Sequence, residues 1–166
     1  MKQSSSSAFR SGSDFEEAMG SRVRSPDLAR DMITKLRAAG LRPTRTRVAL
    51  SSLLFAKGDR HVTAEMLFEE ANHAEVSVSL ATVYNTLHQF TEVGLLCQVA
   101  VDGSKAYFDT NNTKHHHFYI EDRHELIDIS PTDMNVGKAP VPPDGYEIVR
   151  IDVVVRLRRK AVSRQT

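Results

Sequence analysis

The amino-acid sequence predicts an α+β fold, in which an N-terminal winged helix-turn-helix is followed by a small α/β dimerisation domain. Three observations predict it. The first half of the chain contains three segments that begin with an N-cap residue and have apolar residues at helical spacing. A fourth such segment also has a polar face. The pair Asp102-Gly103, between two β-prone runs, then predicts a hairpin. Three shorter β-prone runs follow, separated by charged and proline-rich segments.

Composition sets limits on the class of protein. The 166 residues suffice for one domain or two small ones, and 40% hydrophobic with 26% charged residues is typical of a soluble protein. The net charge is only +1, so any nucleic-acid affinity requires local basic groups, and six basic residues against one acidic residue lie between Arg30 and Arg47. Cys97 is the only cysteine, which excludes an intrachain disulfide framework or a Cys-x-x-Cys metal site and fits a reducing, cytoplasmic location.

The elements are predicted in chain order. Residues 1–24 are serine-rich without an apolar period, and we expect them to be disordered and to contain no signal peptide. No apolar run approaches the ~20 residues of a membrane helix, so no membrane association is expected. Ser25, Thr44 and Thr63 are predicted N-caps, and Gly40 is a predicted helix terminator. The fourth helix is expected over Ser79–Phe90.

The fourth helix combines an apolar stripe with a polar face. The stripe alone, Leu80, Val83, Leu87 and Phe90, would suit an amphipathic core helix. The helices before it and the hairpin after it favour instead a recognition helix that enters the major groove of DNA. The predicted DNA contacts, on this helix, near the second helix and on the wing, are Arg42, Arg45, Arg47, Thr82, Tyr84, Asn85, His88 and Lys105.

The C-terminal third predicts a second domain. We place the winged-helix domain at residues 25–109, a polar hinge at 110–114, and a dimerisation and ligand-sensing domain at 115–166. Strands are expected around Phe118–Ile120, Leu126–Ile129 and Ile151–Leu157, and the four prolines between Pro131 and Gly145 disfavour a long helix there. Three short strands leave an exposed edge, which favours a homodimer.

The run His115-His116-His117 carries the predicted ligand chemistry. In a strand His115 and His117 share one face and His116 lies on the other. Two imidazoles with carboxylates suit Fe, Mn or Zn, and a run of solvated histidines is the alternative. The predicted metal ligands are His61, Asp109, His115, His116, His117 and Asp128, with Glu121 as a further carboxylate.

Several motifs together resemble the ferric uptake regulator (Fur) family over about Leu36–Leu157. They are Ala39-Gly40-Leu41-Arg42-Pro43-Thr44, His61-Val62-Thr63-Ala64-Glu65, Leu80-Ala81-Thr82-Val83-Tyr84-Asn85-Thr86-Leu87, the wing start Gly94-Leu95-Leu96, and the histidine run. Within the family, Tyr107-Phe108-Asp109 and the short C-terminal half are similar to the iron response regulators of rhizobia and their relatives.

The resemblance implies a dimeric transcription factor, mainly a repressor and not an enzyme, that controls heme biosynthesis and iron uptake or storage genes. It implies activity under iron limitation and inactivation by heme bound at His115, His116 and His117. Fe²⁺ or Mn²⁺ are the alternative ligands, ahead of Zn²⁺. The implied partners are an AT-rich DNA operator, a second copy of the chain or a higher oligomer, and a heme-biosynthesis enzyme as heme donor.

The chain departs from the family pattern at four places. Ile120-Glu121-Asp122-Arg123 replaces the usual Cys-x-x-Cys, and Ile151 stands near the place of a last-strand histidine. Ser25-Pro26 replaces a Cys-Pro heme motif, and Asn85 stands where arginine is common. Two alternatives remain: a sensor of Mn, Zn or peroxide on the same scaffold, and, more distantly, a metal-dependent hydrolase.

Overall fold

The computed structural model describes residues 26–102 and 105–160. The expected disordered segment, the Ser25 cap and the Gly103 turn lie outside these residues. Within them the α+β class is confirmed, with four helices and six strands. The helices are α1 (Pro26–Ala38), α2 (Arg45–Phe55), α3 (Ala64–His73) and α4 (Leu80–Glu92). The strands are β1 (His61–Val62), β2 (Cys97–Asp102), β3 (Lys105–Asp109), β4 (His116–Ile120), β5 (Glu125–Ile129) and β6 (Val154–Leu157).

Side-chain caps begin three of the helices. The hydroxyls of Thr44, Thr63 and Ser79 accept hydrogen bonds from backbone amides in the first turns of α2, α3 and α4, satisfying amides that have no partner within a helix. The helix ends are equally local. Gly40 adopts a φ of 78° after α1, and the amide of Leu41 donates to the carbonyl of Leu36 at 2.9 Å, which is a Schellman motif.

Gly94 ends α4 in the same way. Its φ is 73°, and the amide of Leu95 donates to the carbonyl of Phe90 at 2.8 Å. The residues Gly94-Leu95-Leu96, interpreted from the sequence as the start of the wing, therefore begin with a helix terminator. The wing strand itself begins at Cys97.

The helices enclose one apolar core. The predicted stripe of α4 is confirmed, since Val83, Leu87 and Phe90 are fully buried and Leu80 packs against the same cluster. Apolar residues of the other helices, of β1 and of β3, and Leu96 directly before β2, complete it: Leu36, Leu50, Leu53, Leu54, Val62, Ala64, Leu67, Ala71, Leu96 and Phe108. This core holds α4 by one face and leaves its polar face outward.

Arg60 fastens the segment between α2 and β1. Its guanidinium donates to Glu70 Oε1 at 2.7 Å and to Glu70 Oε2 at 2.9 Å. The same group donates to the carbonyls of Leu53 and Leu54 at the C-terminal end of α2, at 3.2 and 3.3 Å. A cation at a helix C-terminus also suits the helix dipole. One side chain therefore joins α2 and α3 directly before His61.

Two three-stranded sheets complete the fold, with strand orders β1-β3-β2 and β5-β4-β6. In the first, His61 lies opposite Asp109 in the antiparallel β1–β3 ladder. In the second, β4 pairs antiparallel with β5, and His117 lies opposite Asp128. The chain then returns through segment 130–153, which contains no helix, and β6 pairs in parallel with β4.

The last strand is shorter than predicted. We expected a half-buried strand from Ile151 to Leu157, but β6 spans only Val154–Leu157, and Ile151 remains 38% exposed. Among the described residues the strand pairs on one side only, with β4. An edge strand buries its alternating residues less completely than a central strand. The alternation of apolar residues therefore predicted a longer and more buried β6 than the structure shows.

The chain divides into two compact units. Unit 1 contains the chain up to Ala100 and the segment that ends at Asn112, and unit 2 contains Val101, Asp102 and the chain from Thr113 onward. Each is described by itself below. None of the helices in the described part of the chain has the length and apolarity that crossing a bilayer requires.

Replacing Glu75 with glycine is expected to raise the free energy of unfolding by about 0.5 kcal/mol. Glu75 follows α3 with a φ of 57°, a conformation that costs an L-residue roughly 1–2 kcal/mol, while the freedom of glycine in the unfolded chain offsets roughly 0.5–1 kcal/mol. Urea denaturation measures the difference. Glu75→Ala, which keeps the strained backbone, is the control, and equal destabilisation by both variants would contradict the expectation.

Candidate nucleic-acid face and metal-ligand clusters

The exposed face of α4 carries the predicted recognition residues in unit 1. Asn85 and His88 are exposed, while Thr82 and Tyr84 are partly exposed. The Thr82 hydroxyl lies 2.8 Å from that of Ser79, and the Thr82 amide donates to the same Ser79 oxygen at 3.1 Å. Thr82 is thus engaged in the helix cap, and Asn85 and His88 are the side chains best placed to meet a partner.

Tyr84 is held by a residue of the preceding helix. Its hydroxyl donates to Glu65 Oε1 at 2.7 Å. That bond lowers the pKa of Glu65, to which Lys105 also contributes by its charge, and it raises the pKa of Tyr84. On the next turn, the ring of His88 stacks beside that of Tyr84, with centroids 6.5 Å apart, and meets Phe108 edge-on at 5.6 Å. The ring of Tyr84 therefore has a defined position.

The predicted basic DNA contacts near α2 and on β3 differ in exposure and in their hydrogen bonds within the protein. Arg42, Arg45 and, on β3, Lys105 are exposed. Arg47 is partly buried, and its Nε and Nη2 donate to the side-chain oxygen of Gln89 at 3.2 and 2.8 Å. Its Nη1 donates to the carbonyl of Arg42 at 2.9 Å. Arg47, which the sequence predicts as a DNA contact, thus ties the backbone at Arg42 to α4.

His61 and Asp109 form a pair within unit 1. His61 Nε2 lies 3.7 Å from Asp109 Oδ2, and the Asp109 side chain is only 1% exposed. The other carboxylate oxygen of Asp109 accepts from the amide of Asn111 at 2.8 Å. A buried carboxylate beside an imidazole offers one oxygen and one nitrogen to a cation, as the sequence predicted for these two residues.

Unit 2 brings together His115, His117 and Asp128. His115 Nε2 and His117 Nε2 lie 3.3 and 3.7 Å from Asp128 Oδ1, and the two imidazole centroids are 4.5 Å apart. Both imidazoles are nearly fully buried, whereas Asp128 is 39% exposed. One ligand atom from each of the three lies within 4.8 Å of the others.

The backbone sets the orientation of His115. Its Nδ1 lies 2.9 Å from the carbonyl oxygen of Thr113. A carbonyl only accepts, so Nδ1 donates this hydrogen bond, and in a neutral imidazole the lone pair is then on Nε2, the nitrogen that faces Asp128. Histidines that bind metals commonly donate their second nitrogen to a carbonyl in this way. Two histidines and one carboxylate form a ligand set that suits Fe(II), so the residues fit a divalent metal.

His116 lies on the other face of β4, as the alternation predicted. Its Nδ1 is buried and makes no hydrogen bond within residues 26–102 and 105–160. It contributes to a cavity of about 370 Å³ in unit 2. The cavity is lined by Lys114, His115, His116, Pro131, Met134, Val136, Ile148, Val149, Arg150 and Ile151. Apolar walls with two imidazoles, a lysine and an arginine suit an apolar ligand that carries carboxylates.

One predicted ligand lies outside the metal-ligand clusters, and two side-chain contacts on the α4 face were not predicted from the sequence. Glu121, expected as a further carboxylate, forms an ion pair with Arg156 at 3.5 Å. The roles of Glu65 and Gln89 were not predicted, although both lie inside the quoted motifs or the fourth helix. Only the assumption that α3 and α4 pack as a helix-turn-helix would have brought Glu65 near Tyr84.

Comparison with known proteins decides the family. The sequence model of the Ferric uptake regulator family matches residues 38–156. The chain belongs to this family. The ferric uptake regulation protein of Pseudomonas aeruginosa is 32% identical over 129 residues, which cover 76% of this chain and 96% of that protein. The peroxide-responsive repressor PerR of Staphylococcus aureus is 29% identical over 105 residues, 63% of this chain and 70% of the repressor.

A solved structure agrees. The ferric uptake regulator of Pseudomonas aeruginosa, determined with manganese, matches with a TM-score of 0.62 and 28% identity, covering 78% of this chain and 98% of that one. Fur-family proteins are DNA-binding, dimeric transcription regulators and not enzymes. This chain is accordingly a metal-responsive transcriptional regulator of the Fur family, and the hydrolase alternative is excluded.

Proposed function

We propose that the chain is an iron- and heme-responsive regulator, mainly a repressor, of heme-biosynthesis and iron uptake or storage genes. It would act as a homodimer on an AT-rich operator under iron limitation, and heme would inactivate it. The observation that carries the metal part is the convergence of His115, His117 and Asp128 in unit 2. The similarity of the sequence to the iron response regulators supports the proposal that heme inactivates the protein.

The ligand set favours Fe²⁺ or Mn²⁺ over Zn²⁺. Two imidazoles and a carboxylate leave coordination positions open, and no cysteine lies at the positions where a structural zinc site would need thiolates. Within unit 1 we propose His61 and Asp109 as metal ligands, because their pairing already joins an imidazole to a buried carboxylate. Such a metal would hold the charged side chains together without a catalytic role.

Heme is assigned to the other face of the histidine run. His116 has a buried Nδ1 that makes no hydrogen bond within the described residues, and it lines the cavity with His115, Lys114 and Arg150. A bound ligand commonly satisfies such a nitrogen, and basic residues at an apolar cavity suit the propionates of heme. His115 and His117 would then serve the metal, and His116 would serve heme.

A titration tests this function. Purified full-length protein receives Mn²⁺, Fe²⁺ without oxygen, Zn²⁺ or heme, and its affinity for a labelled operator duplex is measured by mobility shift, with the Soret band recorded for heme. We expect heme to weaken DNA binding about tenfold or more, within the usual range of allosteric coupling. His116→Ala should lose the Soret shift and the response to heme while it keeps Mn²⁺ binding.

The alternatives predict different outcomes. If heme changes nothing and Mn²⁺, Zn²⁺ or peroxide controls DNA affinity, the protein is a sensor of that signal. The PerR relative of Staphylococcus aureus is a peroxide-responsive repressor. If His116→Ala still takes up stoichiometric heme, the assignment of heme to this face is wrong.

A further inference from the structure

The phenol of Tyr84 is already committed to a partner within the protein. A carboxylate only accepts hydrogen bonds, so the 2.7 Å contact directs the hydroxyl proton of Tyr84 to Glu65 Oε1. The pKa of Glu65 is lowered and that of Tyr84 is raised by the same bond. At neutral pH the pair is therefore a carboxylate and a neutral phenol, joined by a charge-assisted hydrogen bond.

We propose that Glu65 is a positioning residue for DNA recognition, which directs Tyr84 to read a base instead of contacting the phosphate backbone. The inference rests on the proposed contact between α4 and DNA. Glu65 lies in the first turn of α3 and Tyr84 on α4. The carboxylate thus fixes a side chain of the recognition helix from the helix before it.

Phosphate oxygens and base edges differ in the hydrogen bonds that they offer to Tyr84. Phosphate oxygens only accept hydrogen bonds, so a phosphate would have to compete with Glu65 for the single proton of Tyr84. It would also approach an exposed carboxylate of the same sign. The ring of Tyr84 can instead contact a thymine methyl group, and its oxygen can still accept from a base amino group.

A second contact restrains the ring from its side. The imidazole of His88 stacks against it at an interplanar angle of 21° and is braced by Phe108. Glu65 holds the hydroxyl end of the ring, and His88 limits its sideways movement. A ring restrained at two places loses less conformational freedom on binding, which favours one base arrangement over others.

A purely structural brace between α3 and α4 is the competing explanation. A brace would affect stability and would weaken all DNA complexes alike. A positioning residue would affect the ratio of specific to non-specific affinity. Glu65→Gln separates the two further, because its amide oxygen can still accept the Tyr84 proton while the charge is removed.

The test uses full-length protein with Mn²⁺ present. The specific probe is a duplex enriched from a random-sequence pool by the unmodified protein, and the comparison probe is a scrambled duplex of equal composition. Glu65→Ala and Tyr84→Phe should each lower the affinity ratio about five- to tenfold, on the order of one base contact. Glu65→Gln should lower it about twofold, and the double variant Glu65→Ala/Tyr84→Phe should be no worse than either single change.

Each other outcome has a defined meaning. An unchanged ratio in Tyr84→Phe, equal weakening of both probes, or fully additive losses in the double variant would overturn the inference. Thermal unfolding of each variant shows whether it is folded, and Glu65→Gln together with Tyr84→Phe carries the test if Glu65→Ala is not. If the unmodified protein enriches no duplex, the proposed DNA-binding role itself fails, which is a different result from enrichment with an unchanged ratio.

Discussion

Replacing His117 with alanine is expected to weaken Mn²⁺ binding by about 100-fold or more. Loss of an outer-shell partner of a metal already costs roughly 10- to 100-fold in affinity, and His117 is proposed as a direct ligand. Its Nε2 faces Asp128 Oδ1 at 3.7 Å. Its side chain is only 1% exposed, so water has little access to take the place of the lost imidazole. Titration of the metal alone, against a fluorescent chelator as competitor, measures the affinity without involving DNA.

Two matched variants sharpen this prediction. His116→Ala removes the neighbouring imidazole on the opposite strand face and should leave Mn²⁺ affinity within about twofold. Asp128→Asn keeps the shape of a side chain that is 39% exposed, so the fold should tolerate it, and affinity should fall about tenfold or more as the charge is lost. Unmodified Mn²⁺ affinity in both His117→Ala and Asp128→Asn would contradict the proposed cluster.

Replacing Arg60 with alanine is expected to lower the free energy of unfolding by about 2–4 kcal/mol. The change removes both hydrogen bonds to the Glu70 carboxylate and the two to the last carbonyls of α2. Arg60 and Glu70 are only 16% and 22% exposed, so water replaces the lost partners poorly. Lys57 remains near Glu70 Oε1 at 3.2 Å and limits the loss. Urea denaturation at pH 7 measures the difference.

The exposed pair Arg30–Asp27 provides the control. Its side chains are 77% and 85% exposed, and exposed pairs of this kind contribute about 0–1 kcal/mol. Arg30→Ala should therefore change the free energy of unfolding by less than about 0.5 kcal/mol. Equal effects of Arg30→Ala and Arg60→Ala would show that burial of the Arg60 contacts contributes nothing.

The effect of Arg60 should also depend on pH. Burial alone would raise the pKa of Glu70, but the hydrogen bonds and charge of Arg60, with those of Lys57, outweigh it and hold the pKa below its ordinary value of 4.5. A depressed pKa in the folded state stabilises the protein above the unfolded value, and that contribution disappears as the pH falls through the folded value. The difference between the unmodified protein and Arg60→Ala should therefore shrink below about pH 4.5.

Local signals in the sequence predicted the fold well. The Thr44 and Thr63 caps, the Gly40 terminator and the stripe of α4 all depend on residues within one or two turns, and the structure confirms them. The strand alternation likewise placed His115 and His117 together and His116 apart. Where pairing depended on an edge, as for β6, alternation alone gave the wrong length.

The site was less predictable because its contacts join distant residues. Arg47 and Gln89 are 42 positions apart, and Tyr84 and Glu65 are 19 apart. Each of these side chains resembles an ordinary surface residue in the sequence. The sequence predicts Arg47 as a DNA contact but gives no sign of its hydrogen bonds to Gln89 and to the Arg42 carbonyl. The periodicity of a sequence does not indicate which polar side chains will contact each other when two helices pack.

The connectivity of the second sheet has a consequence for folding order. The His115–His117–Asp128 cluster lies on β4 and β5 and the residue before β4, joined by the short connection 121–124, whereas β6 reaches β4 only through segment 130–153. Closing the longer segment costs roughly 1–2 kcal/mol more chain entropy. The hairpin that carries the cluster can therefore form before β6 docks, and insertions within segment 130–153 should alter the sheet edge long before they reach the metal ligands.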